Sequence, residues 1–86
     1  MNHVAIDLGG MQSQVCTRRS DGTIIEEKKV LTRQLPELVK AWPQSRIILE
    51  TCSEAFQIAD AAQAHGHEVR VVPATLVRTL GVGRAG

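Results

Sequence analysis

Charge of one sign is the first thing this sequence lacks. Ten Lys and Arg stand against nine Asp and Glu, a formal net charge of +1. A free-standing nucleic-acid binder usually presents a basic face, so near-neutrality counts against that class. No apolar run approaches the roughly 18–20 residues that a membrane span needs, and no membrane partner is expected. The opening residues, Met1-Asn2-His3-Val4-Ala5-Ile6, have neither the basic n-region nor the long apolar h-region of a signal peptide. A cytoplasmic location is the default expectation. Cysteine is scarce: Cys16 and Cys52 lie far apart in apolar surroundings, which reads as two reduced, packed thiols. Internal repeats and low-complexity segments are also lacking.

What is present is an ordinary globular composition, 43% hydrophobic, in 86 residues. That allows one small domain. A chain of this size buries only about 60–65% of its unfolded surface. A five-stranded sheet with few helices would leave apolar surface uncovered, so a fragment or a partnered chain is expected.

The pattern along the chain predicts β-β-β-α-β-α-β. His3 to Leu8 reads as a buried strand, and Gly9-Gly10 as a turn, because glycine tolerates positive φ. A second strand follows over 12–19, with Val15 and Cys16 apolar. Ser20-Asp21-Gly22-Thr23 is a hairpin turn of the Asp-Gly type. Thr23 to Val30 alternates β-branched and charged residues, as a half-exposed third strand should. Leu35, Leu38, Val39 and Trp42 then share one helical face, which makes Trp42 a core anchor. Thr32 is a candidate N-cap, Pro36 fits the first turn, and Pro43 stops the helix. Arg46 to Glu50, with Ile47-Ile48-Leu49, looks like a central strand buried on both faces. Thr51 and Glu54 have capping-box spacing. Ala55, Ala59 and Ala62 give the second helix a face of small side chains, and Gly66 is its stop. His67 to Val72 is the fifth strand, ended by Pro73. Residues 74–80 suggest a short helix and 81–86 a glycine-rich tail.

A three-stranded meander followed by α/β units predicts an RNase H-like (RuvC-like) mixed sheet in which the first and fourth strands lie side by side and parallel. Asp7 ends the first and Glu50 the fourth. Ligand sites in α/β sheets lie beyond the carboxyl ends of strands. Two acids 43 positions apart are therefore expected to meet. Each would be costly to bury without a cation or a donor, and together they offer hard oxygen ligands suited to Mg²⁺. Phosphodiester chemistry commonly uses two such ions about 3.5–4 Å apart, with further acids.

Two segments carry a family resemblance. One is Ala5-Ile6-Asp7-Leu8-Gly9. The other, more specific, is Leu49-Glu50-Thr51-Cys52-Ser53, continuing through Ala64-His65-Gly66-His67-Glu68-Val69 to Pro73. They resemble the N-terminal, Holliday-resolvase-like domain of DEDD transposases of the insertion-sequence one-hundred-ten family, over nearly the whole chain. The resemblance implies Asp7 and Glu50 as the first two of four catalytic, metal-binding acids, with Mg²⁺ as cofactor. It implies DNA and an element-encoded guide RNA as partners, and a homo-oligomer in the intact protein. The family's later Lys-Asn-Asp stretch and its C-terminal domain with a catalytic serine have no counterpart here, and Gly10-Met11 departs from the polar residues expected there. The expectation is a truncated domain, residues 1–80 followed by a tail at 81–86, that does not cut DNA by itself.

Other residues have plainer readings. His65 and His67 bracket a helix-ending glycine and read as turn residues rather than zinc ligands. His3 is expected at a strand edge, Asp60 in solvent, and Glu54 in the cap. Arg18, Arg19, Lys28, Lys29 and Arg33 read as a solvated strand face, and Arg78 and Arg84 belong to a tail. Two other functional classes compete. Asp7-Leu8-Gly9-Gly10 also resembles the first phosphate loop of actin-like sugar kinases and ATPases, although Met11 fits that poorly. A non-catalytic module that binds an intact transposase is the third.

Overall fold

The computed structural model describes residues 1–50 and 53–73. Five strands form one sheet: β1 (Asn2–Asp7), β2 (Gln12–Arg18), β3 (Ile24–Leu31), β4 (Ser45–Glu50) and β5 (Glu68–Val72). Their spatial order is β3-β2-β1-β4-β5. The first three run antiparallel as a meander, while β4 lies parallel to β1 and β5 parallel to β4. A 3-10 turn (Thr32–Gln34) leads into helix α1 (Leu35–Ala41), and α2 (Ser53–Ala64) connects β4 to β5. The mixed α/β class and the side-by-side β1 and β4 are as the pattern predicted.

Both helices pack on one face of the sheet. Alternation along each strand sends Val4, Ile6, Val15, Ile47 and Leu49 toward them, where they meet Leu35, Val39, Ala55, Ile58, Ala59 and Ala62. The small side chains of α2 let it sit close to the strands, as expected. Trp42 is half-buried and packs against this core from the end of α1. The other face holds a smaller group, Cys16 with Ala5, Ile48 and Val72. Cys16 is a free, buried thiol.

Four local expectations change. Among the described residues β4 is not uniformly buried on its second face, where Arg46 is exposed, Ile48 half-buried and Glu50 buried. His3 lies on β1, the middle strand of the sheet, and not at an edge. Neither Gly9 nor Gly10 has positive φ; among the described residues the glycines that do are Gly22 and Gly66. Gly9 is needed for another reason, since a Cβ there would fall on the Gln12 carbonyl oxygen. Thr32 caps no helix, for neither the 3-10 turn nor α1 has a side-chain cap bond.

Two turns follow from local chemistry. Gly22, at φ 92, closes the β2–β3 hairpin, with the Thr23 N–H donating to Asp21 Oδ1 at 2.9 Å. Those bonds hold the Asp21 carboxyl below its ordinary value, the Thr23 backbone bond being the larger cause. Gly66, at φ 86, ends α2: its N–H donates to the Gln63 carbonyl and that of His67 to the Ala62 carbonyl. That is the paired bonding of a Schellman cap. Among the described residues no helix is long and apolar enough to cross a membrane. The Thr51–Glu54 capping box, Cys52, the 74–80 helix, the 81–86 tail, Arg78 and Arg84 lie outside what is described.

Candidate functional site

The sheet brings the two predicted acids together. The β1–β4 register pairs residues 43 apart up to Ile6 with Leu49; one step further places Asp7 beside Glu50. Neighbouring strands lie roughly 4.8 Å apart, and residues side by side in register point to the same face. Alternation puts both acids on the face opposite α1 and α2. Asp7 is half-buried, and Glu50 is only 7% exposed.

Register extends this row across the sheet. Asp7 pairs with Gln14, Gln14 with Lys29, and Glu50 with Val72. That face therefore carries Lys29, Gln14, Asp7, Glu50 and Val72 in line, near the carboxyl ends of β1 and β4. A cleft of about 370 Å³ lies along one side of the row, lined by Asp7, Leu8, Gly9, Gln12, Ser13, Gln14 and Lys29. Glu50 is next to Asp7 but does not line that cleft. Lys29 faces the acids from two strands away. In the sequence Lys29 reads as a solvated charge and Gln14 carries no signal, because only strand register shows that either shares a row with Asp7.

The wall of the cleft is held by a small hydrogen-bonded ring. Thr32 Oγ1 donates to the Gly9 carbonyl at 2.8 Å. With its proton so used, it accepts from Ser13 Oγ at 2.7 Å. Ser13 Oγ in turn accepts from the Gly9 N–H at 3.4 Å. The Thr32 N–H adds a bond to the Met11 carbonyl at 2.8 Å. Ser13 and Thr32 are both buried, so these partners satisfy groups that water cannot reach. The ring ties the β1–β2 loop, which follows Asp7, to the start of the helical segment. Alternation alone could not have revealed it, since the residues that close it are 23 and 19 positions apart.

The donor chemistry fits a hard cation in kind. Asp7 and Glu50 are both oxygen ligands of the sort Mg²⁺ takes. In number they fit only in part: among the described residues no group of three or more His, Cys, Asp or Glu side chains is placed to hold a metal ion. The histidine pair does not serve such a site. His65 is exposed, whereas His67 is buried with both ring nitrogens engaged by backbone groups, Nδ1 by the Ser45 N–H at 3.1 Å and Nε2 by the Val39 carbonyl at 2.6 Å. On the same face as the acids, but farther along it, Arg46 and Glu68 form an ion pair at 2.6 Å.

No protein-family model matches the chain, and a search of curated proteins returns no match.

Proposed function

We propose that this chain carries the first half of a DNA-cutting site on an RNase H-like sheet, and is the N-terminal part of a transposase similar to the DEDD insertion-sequence one-hundred-ten family. The observation that carries this reading is the β1–β4 register, which brings Asp7 and Glu50 side by side at the carboxyl ends of two parallel strands. The strand order, with a meander on one side and parallel strands on the other, supports the RNase H-like assignment.

In this reading Asp7 and Glu50 are ligands for Mg²⁺. When bound, the ion neutralises the two carboxylates and polarises a phosphate oxygen set against it. The chain's own part is positional. The row fixes the two carboxylates at the spacing of adjacent strands. Lys29 adds a positive charge on the far side of the cleft, where a phosphate oxygen would be attracted. The Ser13–Thr32–Gly9 ring keeps the loop after Asp7 from closing over the cleft. With only these two acids placed among the described residues, the chain holds a single cation weakly and does not cut DNA alone. By the same resemblance, cleavage and joining need further acids beyond these two. DNA, an element-encoded guide RNA and further copies are the partners by resemblance, in a cytoplasmic setting.

The phosphate-loop reading has less support. The Gly9 N–H, which such a loop would aim at a phosphate, points at Ser13 Oγ.

Titration with Mn²⁺, a paramagnetic stand-in for Mg²⁺, tests the proposal by NMR. Broadening should centre on Asp7, Glu50 and Gln14 and vanish in Asp7→Asn. Broadening centred elsewhere, or unchanged by that substitution, would sink the metal reading. Mg²⁺-dependent nicking of DNA by the wild-type chain, lost in Asp7→Asn, would overturn the claim that it is inactive alone.

A further inference from the structure

β3 is the outermost strand on its side of the sheet and pairs only with β2. Its outward N–H and C=O groups face no other strand among the described residues. Residues 24–27 are exposed, Ile24 at 50% and Ile25 at 44%. Such an edge is a ready template for another strand, and proteins usually blunt it with charge that repels a second copy.

The charge on β3 is arranged otherwise. The strand reads Ile24-Ile25-Glu26-Glu27-Lys28-Lys29-Val30-Leu31. Read backwards about Lys28, Glu27 falls on Lys29 and Ile25 on Leu31, while Glu26 falls on Val30 and Lys28 on itself. A parallel copy in register would set Glu on Glu and Lys on Lys, which disfavours pairing. An antiparallel copy brings opposite charges together.

We propose that β3 is a docking edge for a second copy of this chain, whose own β3 adds antiparallel across a two-fold axis and joins two five-stranded sheets into one. A two-fold axis normal to the sheet keeps each residue on its own face, so the axis passes through a residue rather than between two. With Lys28 on the axis, Glu27 lies opposite the partner's Lys29, twice, on the face opposite α1 and α2. Lys28 then lies opposite the partner's Lys28, one like-charge contact against two Glu27–Lys29 pairs, and it is offset by Glu26 of the same strand, whose carboxylate lies 3.4 Å from the Lys28 Nζ. Ile25 is brought opposite the partner's Leu31, covering apolar surface at both ends. The register irregularity at Thr17 and Arg18 touches only the Ile24–Ile25 end, leaving the charged centre regular. Eight residues a side make a small interface, so the dimer is weak, with a dissociation constant on the order of 10–500 μM. This inference stands apart from the metal reading, which concerns another row of the sheet.

Sedimentation equilibrium on the wild type and two charge-block variants tests it. Lys28→Glu with Lys29→Glu makes the centre wholly acidic; Glu26→Lys with Glu27→Lys makes it wholly basic. The wild type should associate reversibly, and less so as salt rises. Each variant alone should associate about tenfold more weakly or worse, and an equimolar mixture should recover the association as a heterodimer. A wild type that stays monomeric up to about 0.5 mM overturns the proposal. So do folded variants that associate as tightly as the wild type, or a mixture that stays monomeric. Hydrogen exchange on the wild type decides the matter should a variant fail to fold. Alternate β3 amides should gain protection as concentration rises, and constant protection overturns the proposal.

Discussion

Replacing His67 by Ala should cost this small domain a large share of its stability. The imidazole is 5% exposed and bridges two elements. Ser45 N–H can only donate, so Nδ1 accepts; the Val39 carbonyl can only accept, so Nε2 carries the proton. His67 is thus held as the Nε2–H tautomer between the start of β4 and the last turns of α1. Ser45 and Val39 are themselves buried, at 1% and 0% exposure. Alanine would leave one backbone donor and one acceptor without a partner and out of reach of water. Each such group costs about 1–3 kcal/mol, so the pair amounts to about 2–6 kcal/mol. A domain of this length has a total stability of about 4–13 kcal/mol. The melting temperature should fall by roughly 10–50 °C, at about 4–8 °C per kcal/mol for this size. Urea and thermal unfolding followed by circular dichroism would measure it. His65→Ala, at an exposed neighbour, should stay within about 0.5 kcal/mol of wild type. His67→Asn, which keeps an acceptor near the place of Nδ1, should fall between. The reasoning is refuted if His67→Ala unfolds like wild type, or if nitrogen chemical shifts show the proton on Nδ1.

Other consequences follow from the same geometry. Gly9→Ala should destabilise by about 1–3 kcal/mol, because the new Cβ meets the Gln12 carbonyl and the loop must shift; Gly10→Ala, which meets nothing within 4 Å, serves as the control in the same denaturant titration. Thr32→Val should cost about 1–2 kcal/mol by depriving the Gly9 carbonyl of its donor, and hydrogen exchange at Gly9 should accelerate with it. Asp21 should titrate below its ordinary value in a carboxyl NMR experiment. Its folded value is depressed, so its contribution to stability is present above the unfolded value and is lost as pH falls through the folded one. Asp21→Asn should therefore narrow the stability difference between neutral and acid solution, and an unchanged pH profile would contradict this.

The strands and helices were legible because their residues advertise period. Val4, Ile6 and Leu8 alternate; Leu35, Leu38, Val39 and Trp42 recur as on a helix; Gly22 and Gly66 mark the turns where φ is positive. Asp7 and Glu50 were legible as a pair because an acid at the end of an apolar strand is conspicuous, and strand order gave a reason for them to meet. Lys29 and Gln14 were not, since nothing local ties them to Asp7. Thr32 misled for a similar reason: a threonine ahead of a helix fits a cap, yet its hydroxyl bonds to Gly9, 23 residues earlier. His67 looks locally like a turn residue because its two partners, Val39 and Ser45, are 28 and 22 positions away.

The sequence by itself determined the order of elements, the faces their apolar residues share, the Asp21–Gly22 and Gly66 turns, and the charge-reversed run along β3. Those depend on side-chain period and on backbone preferences, which act over a few residues. Only the tertiary structure decided that both helices lie on one face, that Lys29 and Gln14 join the acid row, that Thr32 closes a ring on Gly9, and that the imidazole of His67 is a buried bridge. These depend on strand register and on how loops meet, where groups distant along the chain compete for the same few buried hydrogen-bond partners.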